Sequence, residues 1–145
     1  MTDFLEQGKF GWHITANFNR PVRYEVGRDK LKAWCSFVDR RLQGRSYYRK
    51  PADQRLFFVA VPEIGLSSGH LHFHLLAKLP EEKSGQFEQV AMSAWIDLNR
   101  AGSLFVQRID DDPGSLRRVI GYDLKQARKP DQYAQIIIST EFHHG

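Results

Sequence analysis

The most constraining stretch of this chain is 69–77, Gly-His-Leu-His-Phe-His-Leu-Leu-Ala. Strict alternation of polar and apolar residues is the period of a β-strand, whose side chains point to opposite faces in turn. His70, His72 and His74 therefore share one face, and Leu71, Phe73 and Leu75 the other. Alternate residues lie roughly 7 Å apart along a strand, close enough for two imidazoles to converge on one ion. A strand of this kind must bury one face and leave the other partly open. The rest of the chain has to supply a layer for the apolar side.

The flanking sequence supplies one. Residues 10–18 alternate Ile14, Ala16 and Phe18 with His13, Thr15 and Asn17, and Asn19-Arg20-Pro21 ends that strand. Leu31, Trp34, Val38 and Leu42 recur at three- and four-residue spacing and predict a helix over 28–42, with Gly44 as its stop. Cys35, beside that stripe, reads as core filler. The apolar run 56–62 predicts a buried strand, and the turn 63–69 joins it to the histidine strand as an antiparallel hairpin. Phe87, Val90, Ala91, Ala94, Trp95 and Leu98 keep a 3.6-residue period and predict a helix from about 84, with Gly102 as a left-handed cap. A strand over 103–109 follows. Asp112-Pro113 then reads as the N-cap and first residue of a third helix over 113–128, with Leu116, Val119, Ile120 and Leu124 as its apolar stripe. The stretch 136–142 closes the chain as a strand. About five strands and three helices, with strands in sequence-adjacent pairs, predict an α+β domain: an antiparallel sheet with helices packed on it. The histidine face should look into a cleft.

At 145 residues, 41% of them hydrophobic, the chain has the size of a single domain with a real core. The net charge of +4 permits a nucleic-acid partner without requiring one. A single cysteine excludes an internal disulfide and a multi-thiolate metal cluster, so a reducing compartment is expected, and structural zinc is disfavoured. No apolar run reaches membrane-spanning length, and the first residues lack the basic-then-apolar order of a secretory signal. The region 40–55 has its own character: Arg40, Arg41, Arg45, Tyr47, Tyr48, Arg49, Lys50 and Arg55 interleave cations with aromatic rings. Such a loop is either a solvated surface or a single-strand nucleic-acid contact, in which cations meet phosphates and rings stack on bases. Tyr122 and Lys125, with Arg118 nearby, project from the polar side of the third predicted helix, away from its apolar stripe.

Taken together, the His-x-His-x-His strand, the upstream Glu63 and the downstream Tyr122-Asp123-Leu124-Lys125 resemble the HUH endonucleases. These are the rolling-circle replication initiators, with relaxases and single-strand transposases as relatives. The resemblance covers about 10–129 and lies in the order of the motifs. It implies a nicking and joining endonuclease for single-stranded DNA, with Tyr122 as nucleophile, Lys125 beside it, and a 5′-phosphotyrosine intermediate. It implies a metal site of Glu63, His72 and His74 with His70 flanking, or alternatively one built on His70 and His72. Mn²⁺ or Mg²⁺ suits mixed nitrogen and oxygen ligands. Tyr47, Tyr48, Arg49 and Arg118 are the implied DNA contacts. The implied partner is single-stranded DNA at a replication origin, in a hairpin or open. A separate helicase and polymerase follow, because no Gly-x-x-x-x-Gly-Lys-Ser/Thr phosphate loop is present and the chain has no room for a helicase domain. The expected setting is the cytoplasm of a prokaryotic host or its nucleoid, with no membrane association. A relaxase or transposase shares the chemistry. A non-catalytic single-strand binding module, with structural histidines, is the alternative of another class.

Overall fold

The computed structural model describes residues 10–64, 69–109 and 136–143. The order of elements is β1 (Trp12–Asn17), α1 (Tyr24–Gln43), β2 (Phe57–Ile64), β3 (Leu71–Lys78), α2 (Ser84–Leu98), β4 (Ser103–Arg108) and β5 (Ile137–Ile138). Short 3₁₀ turns lie at Tyr47–Arg49, Ala52–Gln54, Glu81–Lys83 and Ser139–Phe142. The strands form one five-stranded sheet in the order β4-β1-β3-β2-β5, and every pairing is antiparallel. The expected α+β architecture is therefore the observed one. The third predicted helix lies outside the described residues.

The helices cover the face that carries Leu71, Phe73, Leu75 and Ala77 of β3 and Ile14 and Ala16 of β1. Two tryptophans fasten them. Trp34 of α1 packs on Phe58 with ring centroids 5.7 Å apart and donates its indole N–H to the Ala91 carbonyl of α2 at 3.0 Å. Trp95 of α2 packs on Phe18 at 5.1 Å and donates to the Asn17 carbonyl of β1 at 3.0 Å. Each ring buries a large apolar area while its polar atom finds a partner, as burial of an indole requires. Most of the opposite face is polar, but Leu76 and Val59 join Phe10 and Ile109 in a second, smaller apolar cluster, with Phe57, Ile136 and Ile138 beside it. The histidine face is thus closed at one end of the sheet and polar at the other.

Four boundaries differ from the sequence expectation. Helix α1 begins at Tyr24, four residues before 28, and Gly27 falls inside it. A Cβ at Gly27 would stand 2.8 Å from Leu71 Cδ2 and 3.3 Å from Phe73, so this poor helix former marks where the helix presses on β3. Strand β2 runs through Pro62 to Ile64, which brings Glu63 into the sheet instead of the turn. A proline is tolerated there because β5 pairs only with Val59 and Ala60. Beside Pro62 the outer edge of β2 has no strand partner among the described residues, so a missing N–H costs no ladder bond. Strand β5 is two residues long, not the whole of 136–142: the Phe58 N–H bonds to the Ser139 hydroxyl at 2.9 Å, and the chain turns to bury Phe142. Gly102 is not a left-handed cap, since the positive-φ glycines among the described residues are Gly44 and Gly69. It allows close approach: a Cβ there would lie 2.7 Å from the Asn17 carbonyl oxygen.

One ion pair lies inside the helical layer. Arg55 Nε donates to Asp39 Oδ2 at 3.1 Å, with side chains 4% and 1% exposed, and the Leu56 N–H donates to Asp39 Oδ1 at 2.9 Å. Burial pushes the Asp39 carboxyl up, and the Leu56 N–H and Arg55 oppose that rise. Removing one member of such a pair leaves the other charge uncompensated. Asp39→Ala is expected to lower stability by about 3–5 kcal/mol, measured by urea unfolding.

Candidate metal centre

The geometry follows from the register of the β2–β3 hairpin. Glu63 pairs directly with His72, and Val61 with His74. Directly paired residues of an antiparallel ladder share a face, and residues two apart on one strand share it too. Glu63, His72 and His74 therefore stand together on the face away from the helices. His72 Nε2 lies 3.1 Å from Glu63 Oε2, and His74 Nε2 lies 2.5 Å from the same oxygen. The two imidazole rings stand edge to face with centroids 5.0 Å apart. His74 is buried, while Glu63 and His72 remain partly open to solvent.

This trio fits a divalent cation. One ligand atom from each residue lies within 4.8 Å of the others. Ligands about 2.0–2.2 Å from a common ion are separated by roughly 3–4 Å, so small rotamer adjustments suffice. The donor set, two imidazole nitrogens and one carboxylate, leaves coordination positions open for water or a phosphate oxygen. A structural site would fill all four positions with protein ligands.

Of the predicted site residues, the structure brings together Glu63, His72 and His74. His70 lies just before β3 and outside this convergence. Tyr122, Lys125 and Arg118 lie outside the described residues. Tyr47, Tyr48 and Arg49 are not among them: they form a turn after α1, and Tyr47 and Tyr48 line a cavity with Ser36, Phe37 and Arg40 of that helix, which covers the face of the sheet opposite the metal ligands.

One neighbour of the site is unmarked in the sequence reading. His13 of β1 stacks on His74, with centroids 5.8 Å apart and planes 6° from parallel. Thr15 pairs with His74, and Asn17 with His72, so β1 lines the flank of the site. On the far side of β1, Phe105 pairs with Thr15 and stands on the same face, 76% exposed. The alternation of His13, Thr15 and Asn17 was a readable signal that they share a face. Their position beside β3 was not, because about 55 residues of chain separate β1 from β3.

A second set of potential ligands, Cys35, Asp39 and His143, also lies within 4.8 Å. It has the character of packed interior. Both Asp39 oxygens already accept hydrogen bonds, and burial drives the Cys35 thiol up, away from the thiolate a metal needs.

No protein-family model and no curated protein matches the chain. A solved structure shares the fold. The crystal structure of the hypothetical protein ORF119 from Sulfolobus islandicus rod-shaped virus 1 superposes with a TM-score of 0.54 at 12% identity, over 88% of this chain and 92% of that one. At that identity the likeness concerns the fold alone.

Metal binding is readable from stability. Mn²⁺ at a hundredfold excess over its dissociation constant is expected to stabilise the wild-type protein by about 2.7 kcal/mol. Thermal melts should show that increment lost in Glu63→Gln, His72→Ala and His74→Ala and retained in His70→Ala. An increment lost in His70→Ala and retained in His74→Ala would move the site to the other histidine pair.

Proposed function

We propose that the chain is a metal-dependent endonuclease that nicks and rejoins single-stranded DNA in the manner of rolling-circle replication initiators. The observation that carries this reading is the convergence of Glu63, His72 and His74 on one point at the polar end of the sheet. Neighbouring features suit the same substrate. Phe105 offers an exposed ring on the same face, on which an unstacked base can lie. Asn17 and Thr15 add polar side chains beside the histidines.

A divalent ion bound by Glu63, His72 and His74 would draw charge from a phosphodiester and orient it. Tyr122 is the proposed nucleophile: its phenolic oxygen forms a bond to phosphorus as the bond from phosphorus to the 3′ oxygen breaks. The phenolic proton is lost and the departing 3′ oxygen gains one, so the products are a 5′-phosphotyrosine ester and a free 3′-hydroxyl. A phenol titrates near pH 10, and the positive charge of Lys125, three positions on, favours its ionised form. The ester keeps the energy of the broken bond, which lets attack by a 3′-hydroxyl reseal the strand. The single Tyr-x-x-Lys spacing favours an initiator over a relaxase or transposase within this chemistry.

Incubation with labelled single-stranded DNA, including candidate origin hairpins, in Mn²⁺ or in EDTA tests the reading on a denaturing gel. The expected result is a protein–DNA adduct that requires Mn²⁺, survives denaturation, and disappears in Tyr122→Phe and in His72→Ala. An adduct that persists in Tyr122→Phe would reassign the nucleophile. Binding without any adduct, across a substrate set that includes the chain's own replicon, would favour a non-catalytic single-strand binding module.

A further inference from the structure

The outer surface of the helical layer carries a second cluster that the metal centre does not use. Arg40 is nine residues from Leu31, about 900° around the helix, which places it half a turn from the buried stripe. Ser36 and Phe37 flank it, and Gly44, at φ 89°, turns the chain so that Arg45, Tyr47 and Tyr48 come back alongside them. These six residues line a cavity of about 310 Å³. Tyr47 and Tyr48 meet edge to face with centroids 5.9 Å apart, and Arg49 lies 5.5 Å over the Tyr48 ring. Tyr48 is 56% exposed and Phe37 38% exposed.

The charges here are unevenly satisfied. Arg41 is held by Asp97 at 2.8 Å, Lys50 by Gln43 at 2.9 Å, and Arg55 by Asp39 at 3.1 Å. Arg40, Arg45 and Arg49 have no carboxylate partner among the described residues, and all three are exposed. Three guanidinium groups with no carboxylate partner among the described residues, set around exposed rings, form a surface complementary to a polymer that is anionic and carries free aromatic faces. That describes a single-stranded nucleic acid: phosphates meet the arginines and an unstacked base lies on Tyr48 or Phe37. A duplex hides its base faces, and a lipid surface offers none.

Its position gives the surface a separate role. The sheet and the thickness of α1, on the order of 15 Å in all, lie between it and the Glu63–His72–His74 face. A short strand lying at the metal centre cannot also reach this side. We infer that Arg40, Arg45, Arg49 and Tyr48 form a second, metal-independent binding site for single-stranded nucleic acid on the helical face, which holds a segment other than the one at the metal centre. The inference extends the proposed function to a second contact with the same polymer, and its test runs without metal, so the two readings fail separately.

The test is fluorescence anisotropy with a fluorescein-labelled oligothymidylate in EDTA, over a range of NaCl concentrations. The full-length proteins compared are wild type, Tyr48→Leu, Arg100→Gln and the triple variant Arg40→Gln/Arg45→Gln/Arg49→Gln. Loss of three phosphate contacts should flatten the slope of log affinity against log salt by about 2 and weaken binding at low salt at least about tenfold. Tyr48→Leu should weaken binding about tenfold with the slope unchanged, because stacking releases no counterions. Arg100→Gln, which removes one exposed cation outside both clusters, should bind like wild type. All the altered side chains of the helical face are exposed, and circular dichroism melts confirm that each variant is folded. A salt slope in the triple variant equal to that of wild type would overturn the proposal. So would a loss in Arg100→Gln as large as the loss in the triple variant.

Discussion

The register of the β2–β3 hairpin is the constraint on which the rest of this molecule depends. Because strand side chains alternate, one choice of register does two things at once. It turns Phe73 and Leu75 into the core beneath the helices, and it sets Glu63 opposite His72 on the other face. A slip of one residue would expose the apolar row and bury the histidines, so burial of Phe73 alone excludes it. The apolar half of the hairpin therefore secures the geometry of the polar half. A buried phenylalanine and a leucine hold the two histidines in place as firmly as any contact on their own face.

The helical layer reinforces that arrangement from behind. Trp34 and Trp95 each bridge an element boundary with a ring contact and a hydrogen bond, and Gly27 and Gly102 let backbone approach where a side chain would collide. The pair of Asp39 and Arg55 ties α1 to the start of β2 through the Leu56 N–H. These contacts fix β1, β2 and β3 relative to one another. In the proposed reading, the metal ligands inherit their rigidity from this packing and β1 adds the flank formed by His13, Thr15 and Asn17. The two faces also divide the chemistry. Acid and imidazole groups meet on one side, while Arg40, Arg45 and Arg49, which have no carboxylate partner among the described residues, gather with Tyr48 and Phe37 on the other.

Much of this was legible in the residues. The alternation of 70–75 implied a half-buried strand, and the periodicity around Trp34 and Trp95 implied two helices. The hairpin follows from the short turn between two apolar runs, and Glu63, His72 and His74 follow from it once the register is known. The departures have local physical causes. Gly27 and Pro62 are poor formers of the elements that contain them, and each is tolerated because of a neighbour: the side chain of Leu71 in one case, a short β5 in the other. Ser139 ends β5 by bonding through its hydroxyl, a choice that no alternation pattern expresses.

The sequence by itself determined which side chains share a strand or helix face, because those periods are set by backbone geometry that every residue obeys. It determined the α+β class and the pairing of β2 with β3, which are neighbours in the chain. Only the tertiary structure decided that β1 lies between β3 and β4, that His13 consequently stacks on His74, and that the Tyr47–Arg49 turn stands on the opposite side of the sheet from the histidines. Those facts depend on contacts between segments distant along the chain. Such contacts are chosen by how whole faces fit together, and no local period records that choice.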